Sequence, residues 1–337
     1  MQDKSEVRLT AAEMSTLWSQ YINDSASVCV LSHFLEKVED DEVHPIIEFA
    51  LNTSKRNLSL LNELFQKEDF PVPIGFIEED INPKAPKLFS DTFVLMYLRN
   101  MAVLGLAASS LSLGIVTRED IFTFHNDVLN SSVKLQYLSR ELMLIQGTYV
   151  RPPFVSTPDK VDFVENQQFL GGILGKKRPL TTVEITHLFI NVQTNAIGKT
   201  LILGFAQVAQ KKEVIQYLLR GKQLAQKHED IFSDILKKAD LPAPMSWDSA
   251  VTDSTTPIFS DKLIIFLVSA MITAGIGNYG TAMAASPRKD IAIKYASLIP
   301  EISLYAEDGA DIMIKNGWLE EPPQSDDRKK LAKKEYE

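Results

Sequence analysis

The chain has 337 residues, a length for which two domains are expected, and 45% of them are hydrophobic against 23% charged. A net charge of −9 leaves no basic face of the kind a general nucleic-acid binder needs. The single cysteine, Cys29, excludes an intrachain disulfide, and the polar start MQDKSEVRLT lacks a signal-peptide apolar core, so the expected setting is cytoplasmic.

Residues 1–8 read as a loose end. Thr10-Ala-Ala-Glu13 has the form of a capping box and predicts a helix from there to about Val38. After the acidic turn Glu39–Asp41, a second helix is expected over Glu42–Glu68, where Pro45 is tolerated because it lies in the first turn. Phe70-Pro-Val-Pro73 stops it, and residues 74–88 form a long loop rich in proline and acids. Ser90-Asp91 caps a third helix that Gly114 ends, and Thr117 caps a fourth that runs to Gly147. Residues 151–179 read as an ordered linker with a short helix near Asp159–Leu170. Its Phe154, Phe163 and Phe169 are too apolar for a free tether and are expected to pack between the halves.

The plan then repeats. Thr181-Thr-Val-Glu184 is a second capping box, with helices to Gln210 and over Lys212–Ala239. A loop over Leu241–Ile258 follows, and Ser260-Asp261 starts the third helix. Ser286-Pro287 reads as an N-cap with proline at the first helical position of the last helix, and Asn316-Gly317 as its C-cap. Pro300 inside that helix is expected to kink it. The segment after Trp318 reads as a charged, exposed tail.

The repetition is one of residues as well as of plan. Leu9-Thr10, Glu13 and Leu17 match Leu180-Thr181, Glu184 and Leu188 at a shift of 171 residues. One residue is lost, and Phe89-Ser90-Asp91 matches Phe259-Ser260-Asp261 at a shift of 170, a register held to Pro152-Pro153 and Pro322-Pro323. The chain therefore reads as a tandem duplication, with units over 1–150 and 180–318, a linker over 151–179 and a tail over 319–337.

Leu263–Ser286 carries no charge and would run roughly 36 Å as a helix, long enough to cross a bilayer. Its second half is Gly, Asn, Tyr and Thr, and its counterpart Thr92–Val116 contains Arg99. A helix apolar all round is either a membrane span or the buried helix of a bundle, and these features favour the most buried helix of each bundle, with no membrane span. In the last helix Ile291, Tyr295, Leu298, Ile302, Tyr305, Gly309 and Ile312 alternate steps of four and three, a bundle seam. Val214, Tyr217, Gly221, Leu224, His228, Ile231 and Ile235 do the same in the second helix of that unit. Four long helices with a long second connection describe an all-α fold: a tandem duplication of an antiparallel, ferritin-like four-helix bundle.

Four stretches carry a resemblance: GFIEEDIN, PIFSDKL, RPLTTVEITHL and NGWLEEPP. They resemble a family of tandem four-helix proteins from spore-forming Firmicutes, catalogued as a domain of unknown function, some members of which are labelled spore coat proteins by fold similarity. The resemblance covers nearly the whole chain and implies the ferritin-like bundle in each half. It implies no reaction.

A di-iron bundle needs Glu on two helices and Glu-x-x-His on the other two. The only such motif is Glu184-Ile-Thr-His187, where Glu184 is explained by the capping box. Ala225 stands where Glu would precede His228, and the first unit has Ser54 and Asn57 there. No metal, cofactor or catalytic residue is assigned. Gly275-Ile-Gly277 is inside a helix, Cys29 reads as a small core residue, and His33, His44, His125 and His187 are scattered over different helices.

One constellation remains. Asn195 and His228 lie at nearly equal distances from the turn between their helices, as do Asp24 and Asn57 in the first unit. Each pair is either a buried hydrogen bond that fixes helix register or part of a polar pocket beside the small-residue third helix. Three functions follow. The first is a non-enzymatic structural or assembly protein, with protein partners and a spore-coat association implied by the resemblance. The second is a carrier of a small apolar ligand beside the third helix. The third is a residual ferritin-like metal protein.

Overall fold

The structure, a computed structural model, describes residues 7–171 and 177–332. The expected loose residues 1–6, the glycine-rich stretch 172–176 and the tail's end, 333–337, lie outside them. The first unit contains α1 (Ala11–Lys37), α2 (His44–Lys67), α3 (Asp91–Ile115) and α4 (Glu119–Ile145). The second contains α5 (Thr182–Val208), α6 (Lys212–Lys237), α7 (Asp261–Ala285) and α8 (Lys289–Lys315), and a short α9 (Arg328–Ala332) lies in the exposed tail. The chain is a duplicated four-helix bundle.

Acidic residues near helix starts reveal how the helices run. Thr10 and Glu13 form the first capping box. The other carboxylate oxygen of Glu13 accepts from the backbone N–H groups of Thr117 and Arg118, both at 2.9 Å, which puts the starts of α1 and α4 side by side. Asp91, at the start of α3, accepts from the N–H groups of Glu39 and Asp40 just past the end of α1, both at 3.1 Å. So α1 and α4 run one way and α2 and α3 the other, with a single long crossover between α2 and α3. The second unit repeats both contacts through Glu184 to Arg288 and Asp261 to Gln210 and Lys211. Thr117 is therefore not the cap of α4: it is spent on Glu13, and Arg118 occupies the N-cap position without a side-chain bond. Ser286-Pro287 is likewise displaced outward, with Arg288 at the N-cap of α8. That helix runs unbroken through Pro300.

The two units are joined by their crossovers. Ile81 pairs antiparallel with Phe259, and Phe89 with Val251. Each pair becomes the other when the repeat shift of 170 is applied, so the contact is isologous within one chain. Four backbone bonds hold it: Asn82 N–H to Ile258 O at 2.6 Å, Thr252 N–H to Leu88 O, Ser90 N–H to Ala250 O and Ser260 N–H to Asp80 O, the last three at 2.9 Å. One apolar cluster runs across this junction, from Phe34, Phe89 and Phe93 to Phe205, Phe259 and Leu263, and a smaller cluster closes the far end of each unit. The His33 ring meets the Phe259 edge at 5.6 Å. At the matching place Gly204 makes room for Phe89, whose ring carbons would lie 2.6 Å from an added Cβ.

Two expectations are corrected. In α3 and α7 only 33% and 28% of the most apolar stretch is buried, so they are not the most buried helices, although both are long and apolar enough to cross a membrane. In the second unit that place belongs to α5, which lies between its own bundle and the junction. The linker phenylalanines do not pack between the units either: Phe154 and Phe163 are each 87% exposed. Only Phe169 is partly covered, with the Arg178 guanidinium 4.1 Å from its ring centre. The expected helix near Asp159–Leu170 shrinks to a single 3-10 turn over Gln167–Leu170.

Candidate functional site

The helix hairpins bring both polar pairs to mid-bundle. Asn57 Nδ2 donates to Asp24 Oδ2 at 3.1 Å, and Gln20 Nε2 donates to the same oxygen at 2.8 Å. Both Asp24 and Asn57 are buried. Burial pushes the Asp24 carboxyl up to about 6, against the hydrogen bonds of Gln20, Ser54 and Asn57.

In the second unit Asn195 and His228 do not touch directly. Tyr279 of α7 stands between them, where a direct bond or a water bridge was expected. Its hydroxyl lies 3.0 Å from His228 Nδ1, accepts from Asn195 Nδ2 at 2.9 Å and lies 3.2 Å from Asn195 Oδ1. His228 Nε2 lies 3.1 Å from Glu301. Burial holds His228 below its usual value and Tyr279 above its own, so both are neutral near pH 7 and form a hydrogen-bonded plug rather than a proton relay. The lower stripe of α6 moves from Ile231 and Ile235 to Phe232 and Leu236, the drift expected of 3.6 residues per turn against a 3.5 repeat.

Beside each pair lies a cavity. The first unit's is about 240 Å³, and polar side chains from Asp24, Ser54 and Asn57 meet Ala50, Ala102 and Gly105 in its wall. The second unit's is about 110 Å³, bounded by Asn195, His228 and Tyr279. Asn100, Leu104 and Met271 line both, so the cavities adjoin where α3 and α7 face each other. Applying the repeat shift to Tyr279 gives Ser109, a residue without a ring. The buried Ser109 hydroxyl has no hydrogen-bond partner among the described residues.

The remaining candidates carry no reactive arrangement. Burial pushes the Cys29 thiol up to about 12, and its Sγ donates to Ile77 O. His33 and His125 are buried with neither ring nitrogen partnered among the described residues, and burial holds both down at about 4. Glu184 is taken up by Arg178, Thr181 and Arg288, and is not free for a metal beside His187. Among the described residues no group of three or more metal-ligating side chains occurs.

The chain matches twice, over residues 2–161 and 168–331, the family described as "Protein of unknown function (DUF3231)". It belongs to that family. A "putative spore coat protein" from Bacillus halodurans is similar in structure at a TM-score of 0.41 and 16% identity, over 44% of this chain and 98% of that one. No curated protein matches. Each DUF3231 repeat therefore carries one cavity at the corresponding place, larger in the first repeat and narrower in the second, where Tyr279 forms part of the wall.

Proposed function

We propose that the chain is a non-catalytic binding protein whose first unit holds a small amphipathic molecule beside α3. One observation carries this reading: the first unit keeps a cavity of about 240 Å³ next to a buried carboxylate, where the second unit has about 110 Å³ beside Tyr279 and no carboxylate. A packed interior has few voids larger than a water, so an open space of about 240 Å³ with polar groups at one wall has the character of a ligand site. The bundle topology with one crossover supports the ferritin-like expectation. The test is mass spectrometry of what leaves the purified protein on denaturation, with one small molecule per chain as the expected result. A protein that releases nothing, and that no small amphiphile stabilises, would overturn the reading.

A second reading is a structural role in the cytoplasm or on the spore, with protein partners, as the family resemblance implies. Exposed Leu111 and Ile115 at the end of α3 and Phe122 in α4 support it, since neighbouring apolar side chains in solvent suit a protein contact. A fluorescent fusion followed through sporulation, together with sedimentation of the pure protein, tests that role.

A further inference from the structure

We infer that the first unit's cavity recognises an organic cation, a primary ammonium on a short apolar body, with Asp24 as its counter-charge. The inference rests on the binding reading above and adds the class of ligand.

Three observations carry it. Asp24 is 5% exposed, and its partners Gln20, Ser54 and Asn57 are all neutral. Arg56 acts on it electrostatically without bonding to it, and turns its Nη2 to Ser131 instead. A buried carboxylate held only by neutral groups is costly unless a cation joins it. Second, the fold does not need that charge: at the same place in the second unit stands Asn195, a neutral amide that also serves the mid-bundle network. The carboxylate is thus present beside the larger cavity and absent beside the smaller one.

The third observation concerns the hydroxyls of the cavity wall. Ser27 donates to Asn23 O at 2.8 Å, Thr53 to Phe49 O at 2.9 Å and Ser132 to Val128 O at 3.0 Å. With their protons committed to their own helices, these oxygens offer only lone pairs to a ligand. An ammonium, with three donors and no acceptor, complements these oxygens and the Asp24 carboxylate, whereas a carboxylate ligand would face both with lone pairs. The wall also carries Gln20, Asn23, Asn100 and Ser131, while Ala102, Gly105, Leu267 and Met271 give it an apolar side that suits a hydrocarbon body. An engineered cavity of about 150 Å³ takes benzene, so this one has room for about ten non-hydrogen atoms.

The test is titration calorimetry at pH 7.5 with n-hexylamine, n-hexanol and hexanoate. Hexylamine should bind the natural chain at least about tenfold more tightly than hexanol, and hexanoate should not bind. Asp24→Asn should bring amine and alcohol to similar affinity. Ser109→Tyr, which places a ring at the position that Tyr279 holds in the second unit, should narrow the cavity and weaken both. Equal binding of amine and alcohol by the natural chain overturns the cation while leaving the binding reading intact. No binding of either, or binding that survives Ser109→Tyr unchanged, overturns both. The comparison of three probes on the natural chain decides the charge even where a variant fails to fold.

Discussion

Tyr279 stands in α7 where α3 has Ser109, and its hydroxyl ties Asn195 to His228, whereas the matching Asp24 and Asn57 bond directly. The same backbone thus serves one larger and one smaller cavity, and several consequences can be measured.

The Asp24 charge should cost stability in the unliganded protein. Its folded pKa of about 6 lies above the ordinary 3.8, so its contribution is fully present below pH 3.8 and is lost as pH rises through 6. Asp24→Asn should therefore raise stability by roughly 2–3 kcal/mol at pH 7.5, and the gain should vanish near pH 4. Guanidinium unfolding at the two pH values measures it. A variant less stable than the natural chain at pH 7.5 would contradict this account.

Glu13 should behave in the opposite way. Burial pushes its pKa up, but backbone bonds from Thr10, Arg118 and Thr117 outweigh that and bring it to about 2. Its stabilisation is present above the ordinary 4.5 and is lost as pH falls through 2. Glu13→Ala orphans the start of α4 as well as that of α1, at a cost of about 3 kcal/mol near neutral pH. Thermal unfolding of the variant checks it, and a loss no larger than that of an ordinary exposed cap would be the contrary result.

The close approach of α6 and α8 rests on two glycines. The Tyr217 and Tyr305 rings stack at 4.3 Å, each lying over the glycine of the opposite helix. A Cβ at Gly221 would sit 2.6 Å from Tyr305 Cζ, and one at Gly309 2.9 Å from Tyr217 Cζ. Gly221→Ala and Gly309→Ala should each destabilise by about 1–3 kcal/mol, despite the better helix propensity of alanine. Urea midpoints would show it. Pairing Gly221→Ala with Tyr305→Leu should recover much of the loss, and failure to recover would mean that the ring is not the obstacle.

Amide exchange should reveal the junction. The N–H groups of Asn82, Ser90, Thr252 and Ser260 lie in loops, yet each is bonded to the other unit. They should exchange far more slowly than the neighbouring Glu79 amide, and all four together, because they open only when the units part. Four unrelated rates would argue against a common opening.

Much of this was readable from residue order. The repeat register carried the helix limits from one unit to the other, and the capping boxes at Thr10 and Thr181 fixed two starts. Equal spacing about a hairpin turn brought Asp24 to Asn57. Tyr279 was missed because a lone tyrosine on an apolar helix looks like core, although its alignment with Ser109 held the signal. Thr117 and Ser286 misled because a good capping residue can be outcompeted by a carboxylate from another helix. The exposed Phe154 and Phe163 show that composition describes what a segment resists, not where it lies. The pairing of the crossovers is a contact between residues about 170 apart, and no local pattern encodes it.

The exchange of Ile81 with Val251 and of Phe89 with Phe259 across the junction is the symmetry of two identical subunits, here written into one polypeptide. In a pair of separate, identical chains, any substitution is made twice: a tyrosine that seals one chamber seals its twin, and an acid gained by one is gained by both. Covalent fusion lifts that constraint. Each half can accumulate its own changes while the partner preserves the shared scaffold, so one chamber is free to close and brace the assembly while the other keeps a charge that a purely structural part would discard.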